Sequence, residues 1–309
     1  MHTYRTFKNL SFMRLEGRRE SSNVDDRRGR GGLKLGGKGG LGIGAVIVIG
    51  LITYFMTGDL NQAFQVASSS GDVTSVLTGQ STTSGGDYQP TAQEQELESF
   101  AKKVLASTED VWTEEFQKMG KTYEAPTLVF FNGSVQSGCG GASASTGPFY
   151  CSADQCVYID LSFFTSMKSS LGADGDFAYA YVIAHEVGHH VQYLLGNLGK
   201  AHAQMAKLSE SEANKVSVAI ELQADSYAGI WAYHEQQMFG SLEEGDLEEA
   251  ISTAQVIGDD YLQKKAQGYA VPESFNHGTS QQRIKWFKRG FTTGDLAQGN
   301  TFAYSYEDL

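Results

Sequence analysis

The chain has 309 residues, 40% of them hydrophobic, with three cysteines, seven histidines and a formal net charge of −12. That length holds one large domain or two small ones, and three cysteines exclude a dense disulfide scaffold. The charge is unevenly placed: residues 1–38 carry a net +6 and the remainder −18, so the bulk of the chain repels phosphate and is no nucleic-acid binder.

Residues 1–38 are basic and end in glycine-rich runs, Arg27-Arg28-Gly29-Arg30-Gly31-Gly32 and Gly36-Gly37-Lys38-Gly39-Gly40. With few apolar residues to bury, they read as a disordered tail. Residues 39–58 hold no charge and are filled by Leu, Ile, Val, Ala, Phe, Tyr and Met. At about 1.5 Å per residue, such a helix just spans a hydrocarbon core of about 30 Å. Basic residues crowd its N-terminal side, and after Lys38 the next is Lys102. The positive-inside rule then predicts a single-pass helix of a cytoplasmic membrane, with the tail in the cytoplasm and residues 59–309 outside. A cleaved signal sequence is the rival reading, but no small-x-small site follows directly. Residues 59–92, rich in Ser, Thr, Gly and Gln, read as a flexible linker.

A domain is expected over residues 93–309. Apolar spacing predicts a helix over 93–119, stopped at Gly120. Residues 127–131 and 157–161 read as strands. The small-residue loop between them holds Cys139, Cys151 and Cys156. In an oxidising compartment Cys139 and Cys151 would staple that loop and leave Cys156 over. Asp174 or Asp176 is placed to cap a helix that ends near Gly196. Ser209-x-x-Glu212 reads as the capping box of the next. Asp246-x-x-Glu249 opens another, running to about Ala266, and a last short helix contains Gln282, Arg283 and Trp286. These elements make an α+β domain, mainly helical with a small sheet.

The first of those helices carries Ala184-His185-Glu186-Val187-Gly188-His189-His190. Positions i and i+4 lie on one helix face, so His185 and His189 can present two imidazoles to one metal ion. Glu186, one residue round, can reach a water beside the metal without ligating, as a general base must. The apolar neighbours Tyr179, Val182, Ile183, Val187 and Val191 make this a buried helix. Burying these groups together is costly unless a cation compensates. His190 points about 100° away and reads as structural.

A catalytic zinc takes three protein ligands and keeps an open position. Glu221, on the next helix and in an apolar stretch, is the leading third ligand; His234 and His202 are the alternatives. Asp225, one turn on, can accept the second ring N–H of a ligand histidine and fix its tautomer. His277, supported by Arg283, is the candidate partner for the oxyanion of a peptide hydrolysis. The function expected is therefore a zinc peptidase with one zinc per chain and a peptide or protein substrate. A zinc-stabilised binding or scaffold module without activity is the competitor.

Longer stretches then resemble a known family. Gly17-Arg18-Arg19-Glu20, Gly147-Pro148-Phe149-Tyr150-Cys151, Val157 to Phe163, His185 to His190, Glu221-Leu222-Gln223-Ala224-Asp225 and His277-Gly278-Thr279-Ser280-x-Gln282-Arg283 resemble the neutral zinc metallopeptidases of bacterial membranes, the YpfJ family. The resemblance runs from Met13 to near Asn300, and makes Met13 a candidate start. The order of motifs is similar to that of gluzincin peptidases. It implies a zincin-like fold, Glu221 as third ligand, and an edge strand beside the active-site helix, for which residues 157–161 are the candidate. Family members often carry cysteines where this chain has Ser226 and Gly299, which fits the loss of one disulfide.

Overall fold

The structure, a computed structural model, describes residues 13–29 and 88–309. The apolar run 39–58 and the linker 59–92, up to residue 87, lie outside the described residues. Among those described, no helix is long and apolar enough to cross a membrane.

Helix α1 (Ala92–Lys118) starts at a capping box, in which Thr91 and Glu94 satisfy each other's backbone N–H groups. Its buried side carries Phe100, Val104, Leu105, Val111, Trp112 and Phe116. Four strands follow the order β1 (Val24–Asp26), β2 (Thr127–Phe130), β6 (Cys156–Ile159), β5 (Phe149–Cys151). The pairs β1–β2 and β2–β6 are parallel, and β5–β6 is antiparallel. Strands β3 (Ser134–Ser137) and β4 (Gly140–Ser143) form a separate hairpin. The helical part comprises α2 (Asp176–Leu194), α3 (Asn197–Met205), α4 (Glu210–Phe239), α5 (Asp246–Val256), α6 (Asp259–Gln267) and α7 (Ser280–Thr293). The α+β class, mainly helical with a small sheet, is as the sequence indicated.

Several sequence expectations are corrected. Residues 13–29 are not a disordered tail. Met13 and Leu15 are buried in the main core, and β1 pairs with β2 in the register Val24↔Leu128 to Asp26↔Phe130. Arg18 meets Glu235 at 2.9 Å, and Arg19 meets Glu109 at 2.7 Å and Asp110 at 2.6 Å. The buried Arg28 is shared between Asp26 and Glu98. The arginines that gave the segment its tail-like composition are therefore consumed by carboxylates of the domain. A single membrane crossing between residues 29 and 88 would separate β1 from β2, so their pairing requires one compartment for both.

The strand at the sheet edge is β5, not the 157–161 run, which lies between β2 and β5 as β6. The helix expected from Asp246 to about Ala266 is two helices, broken at Ile257 and Gly258. A Cβ on Gly258 would come within 2.3 Å of the Ser280 backbone, so the break is where α7 begins against it. Ser209 is the N-cap of α4, but its side chain makes no capping bond. Helix α2 is capped by neither Asp174 nor Asp176; its N-cap is Gly175, and Asp176 is its first residue. Cys139 and Cys151 are disulfide-bonded, and Cys156 is free and buried.

Candidate metal centre and active site

Helix α2 packs along α4, and Gly188 sets how closely. A Cβ there would lie 3.0 Å from the Ala224 carbonyl oxygen and 3.2 Å from its Cα. This contact falls between the two histidines on α2 and between Glu221 and Asp225 on α4. It lets both carboxylates reach the imidazoles.

Glu221 bridges the pair. Its Oε2 lies 3.2 Å from His185 Nε2, and its Oε1 lies 3.4 Å from His189 Nε2. One ligand atom from each residue lies within 4.8 Å of the others. The opposite ring nitrogens are occupied. His185 Nδ1 donates to Asp225 Oδ1 at 2.8 Å. His189 Nδ1 lies 2.9 Å from Gln192 Oε1. The Gln192 amide donates from Nε2 to the Ile220 carbonyl at 2.7 Å, which turns its oxygen towards His189. With Nδ1 engaged by an outer partner on each ring, the two Nε2 atoms face one point, where each can offer a lone pair to a metal ion. Two imidazoles that would ligate in their neutral form and one carboxylate, with fixed outer partners, suit zinc.

Charge follows this arrangement. Burial would depress the His185 pKa, but the Asp225 carboxylate and then Glu221 outweigh it and lift it to about 10. His189, whose Nδ1 partner is the neutral Gln192, is lowered by burial to about 4 despite Glu221. Burial works against ionisation of Glu221, yet His189, His277 and His185 hold it well below the usual carboxylate range. Asp225 is likewise held at about 2, against burial, by Arg283 and His185.

Asp225 is more than an orienter. Arg283 grips it with Nε on Oδ2 and Nη2 on Oδ1, both at 2.9 Å, and the Tyr181 hydroxyl donates to Oδ1 at 2.6 Å. The role expected for Arg283, support of His277, is thus corrected: the group it grips is Asp225. Both residues are buried. Helix α7 brings Arg283 in, from a capping box formed by Thr279 and Gln282.

Glu186 is buried beside the histidines and accepts the backbone N–H of Tyr150 on β5. Burial lifts its carboxyl to about 8, opposed by His185 and reinforced by Glu221. A cavity of about 370 Å³ is lined by His185, Glu186, His189, Glu221, Asn276 and His277. Tyr150 lines it too, so the edge strand borders the site. Asn276 and His277 sit on the loop before α7. Asp259 Oδ2 holds that loop by accepting the N–H groups of Asn276, His277 and Gly278 at 2.8–2.9 Å.

His277 thus reaches the site. The alternatives to Glu221 do not become ligands: His234 Nε2 lies 2.9 Å from the Gly294 carbonyl oxygen and 3.3 Å from Glu115, and His202 lines the cavity outside the ligand cluster. His190 is structural, with its nitrogens 3.0 Å from the Tyr150 hydroxyl and 2.6 Å from the Glu124 carbonyl oxygen. Sequence reasoning missed Gln192, Asn276 and Asp259. Only Gln192 carried a local signal, its place three residues after His189 on the same helix.

Residues 13–302 match the family described as "Putative neutral zinc metallopeptidase". The chain belongs to this family. It is 50% identical to "Uncharacterized protein YpfJ" of Escherichia coli K12 over 298 residues, covering 95% of this chain and all of that protein. It is 41% identical to "Uncharacterized protein Rv2575" of Mycobacterium tuberculosis H37Rv over 191 residues, 59% of this chain and 64% of the relative. "Uncharacterized protein Mb2605" of Mycobacterium bovis matches to the same extent. No solved structure matches the chain. The family makes zinc the expected cofactor and peptide hydrolysis the expected class of reaction.

Proposed function

We propose that the protein is a zinc endopeptidase of zincin-like fold, cleaving an extended peptide laid along the β5 edge, with Glu186 as general base. The observation that carries this is the convergence of His185 Nε2, His189 Nε2 and Glu221 on one point, with the buried Glu186 beside it in the same cavity. His185, His189 and Glu221 would hold one zinc ion. When bound, the ion supplies Lewis acidity, polarising the scissile carbonyl and lowering the pKa of water.

The rest is done by the chain. The unpaired side of β5 offers backbone groups to an extended substrate, as sheet edges do for added strands. Glu186 takes the proton of the attacking water and delivers it to the leaving amine; its raised proton affinity suits a group that must hold a proton between those steps. His277, which lines the same cavity, is assigned to the developing oxyanion. Asp225, Arg283 and Gln192 keep the ligand rings in one orientation.

The Cys139–Cys151 bridge fits an oxidising, extracytoplasmic compartment. Residues 13–29 belong in that compartment with the domain. The uncharged run 39–58 is proposed to hold the protein at the membrane without separating the two.

Glu186→Gln tests the reading. It should keep one zinc per chain by metal analysis and keep the melting temperature. Hydrolysis of unfolded casein should fall by about 10²–10⁴-fold. A zinc-loaded wild type that cleaves neither casein nor a peptide library would favour the zinc-stabilised binding module instead.

A further inference from the structure

Three more carboxylates converge away from the zinc ligands, at the other end of the same helix. Asp176 is the first residue of α2, and Asp246 and Glu249 lie in the first turn of α5. One oxygen from each lies within 4.8 Å of the others. Asp176 and Asp246 are 4% and 3% exposed, so these are not solvated surface acids.

Some of their oxygens have ordinary work. Asp176 Oδ1 accepts the Phe177 N–H at 2.9 Å, and Glu249 Oε2 accepts the same N–H at 3.0 Å. Asp246 Oδ2 accepts the Glu243 N–H at 2.8 Å. Asp176 Oδ2 is different: it is buried and has no hydrogen-bond partner among the described residues. Leaving a buried carboxylate oxygen unpaired costs more than a made hydrogen bond gains. The backbone is shaped around the cluster as well. Gly175 has φ +115°, and a Cβ on it would land 2.0 Å from Glu249 Cδ, so only glycine admits the Glu249 carboxylate at the head of α2. The basic group that reaches Asp246 is Arg14, which is exposed and pairs with Glu243 at 3.3 Å. The three carboxylates therefore lack a buried counter-ion among the described residues.

We propose that Asp176, Asp246 and Glu249 form a second metal site, for a hard divalent cation of the calcium class. The ligand set is all oxygen and carries no imidazole or thiolate, which selects calcium or magnesium over zinc. Calcium fits better, because carboxylates from two helices form an adaptable cage without the strict octahedron that magnesium demands. A cation there ties α5 to the first turn of α2, nine residues before His185 on the helix that carries His185, Glu186 and His189. It is a structural clasp for the catalytic helix, independent of whether the protein is a peptidase.

The competing arrangement is a proton shared between Asp176 and Glu249, since burial and the flanking Asp246 and Glu249 lift Asp176 to about 8. Calorimetric titration of calcium chloride into the zinc-loaded, calcium-free full chain separates the two. The expected result is one calcium per chain with a dissociation constant of about 0.1–1 mM, the range of extracytoplasmic modules, and a melting temperature that rises with calcium. Asp246→Asn and Glu249→Gln both keep their backbone hydrogen bonds through the remaining oxygen. Each should weaken calcium binding about tenfold or more by removing ligand charge, and Asp246→Asn should melt higher than wild type without calcium. No calcium binding by the wild type, or equal binding in both variants, overturns the site. Stabilisation of Asp246→Asn with no calcium response in the wild type would assign the cluster to the shared proton.

Discussion

Asp225→Ala tests how the metal centre is supported, because Asp225 has two duties that fail differently. It is the partner of His185 Nδ1 at 2.8 Å and the counter-ion of the buried Arg283, gripped at two points. Loss of the first duty should weaken zinc about 10–100-fold, equivalent to about 1.4–2.8 kcal/mol. Loss of the second strands a guanidinium that is 2% exposed, at a cost of about 3–5 kcal/mol. The stability cost is thus the larger, and a single variant would confuse the two. Asp225→Ala combined with Arg283→Met removes both charges and should regain most of the lost stability, since a buried pair replaced by apolar groups is often neutral. The zinc deficit should remain. Stability is to be read by urea denaturation of metal-free protein, because bound zinc stabilises by mass action; affinity is to be read by competition with a chromophoric chelator. Wild-type zinc affinity in the double variant would refute the claim that Asp225 orients His185. Wild-type stability in the single variant would refute its role as the counter-ion of Arg283.

Further outcomes are expected elsewhere. Glu221→Ala should abolish zinc retention, whereas His234→Ala should leave zinc content unchanged; the reverse in a metal analysis would mean a different third ligand. Deleting residues 1–29 removes the buried Met13 and Leu15, at about 1.5–3 kcal/mol each, so the melting temperature should fall by about 10 °C or more; an unchanged value would show that β1 is dispensable. Ser226→Cys with Gly299→Cys should form a disulfide spontaneously, because a Cβ at 299 would lie 2.9 Å from Ser226 Oγ; closing so long a loop is worth roughly 4 kcal/mol, and free thiols by Ellman titration would disprove the pairing. Asp176 has a folded pKa of about 8 against an ordinary 3.8, so the calcium-free protein takes up a proton on folding between those values. Stability from this group is therefore present at low pH and lost as pH rises towards 8. Asp246→Asn, which removes one of the flanking charges, should flatten the fall in melting temperature between pH 5 and about 8, and identical slopes in the two proteins would count against the cluster.

What the sequence made legible was what helix geometry fixes locally. His185 and His189, and Glu221 and Asp225, are each one turn apart, and their apolar surroundings announced burial that needs compensation. The lost disulfide came from the family resemblance and not from local geometry; in the fold Gly299 does stand against Ser226. Contacts between distant segments were not legible. Asp259 clamps the Asn276–His277 loop across seventeen and more residues, and nothing in its neighbourhood marks it. Strand β5 is three residues long and next to a disulfide, so its edge position depends on a sheet order that alternation cannot supply. The break at Gly258 depends on α7 arriving there.

The N-terminal segment shows why composition misled. A charge run in isolation reads as solvated, and net charge +6 before an apolar stretch reads as an orientation signal. That count assumes the arginines are free. In the fold, Arg18, Arg19 and Arg28 neutralise Glu235, Glu109, Asp110, Asp26 and Glu98, and Arg28 is buried. Four acids of residues 39–309, Glu98, Glu109, Asp110 and Glu235, are spent on binding residues 13–29. Residues 13–29 carry five Arg against four Asp or Glu, and the arginines that reach the domain pair with individual acids; segment and domain must be on the same side of any membrane for β1 to complete the sheet. An orientation argument for residues 39–58 can draw only on basic residues outside those ion pairs.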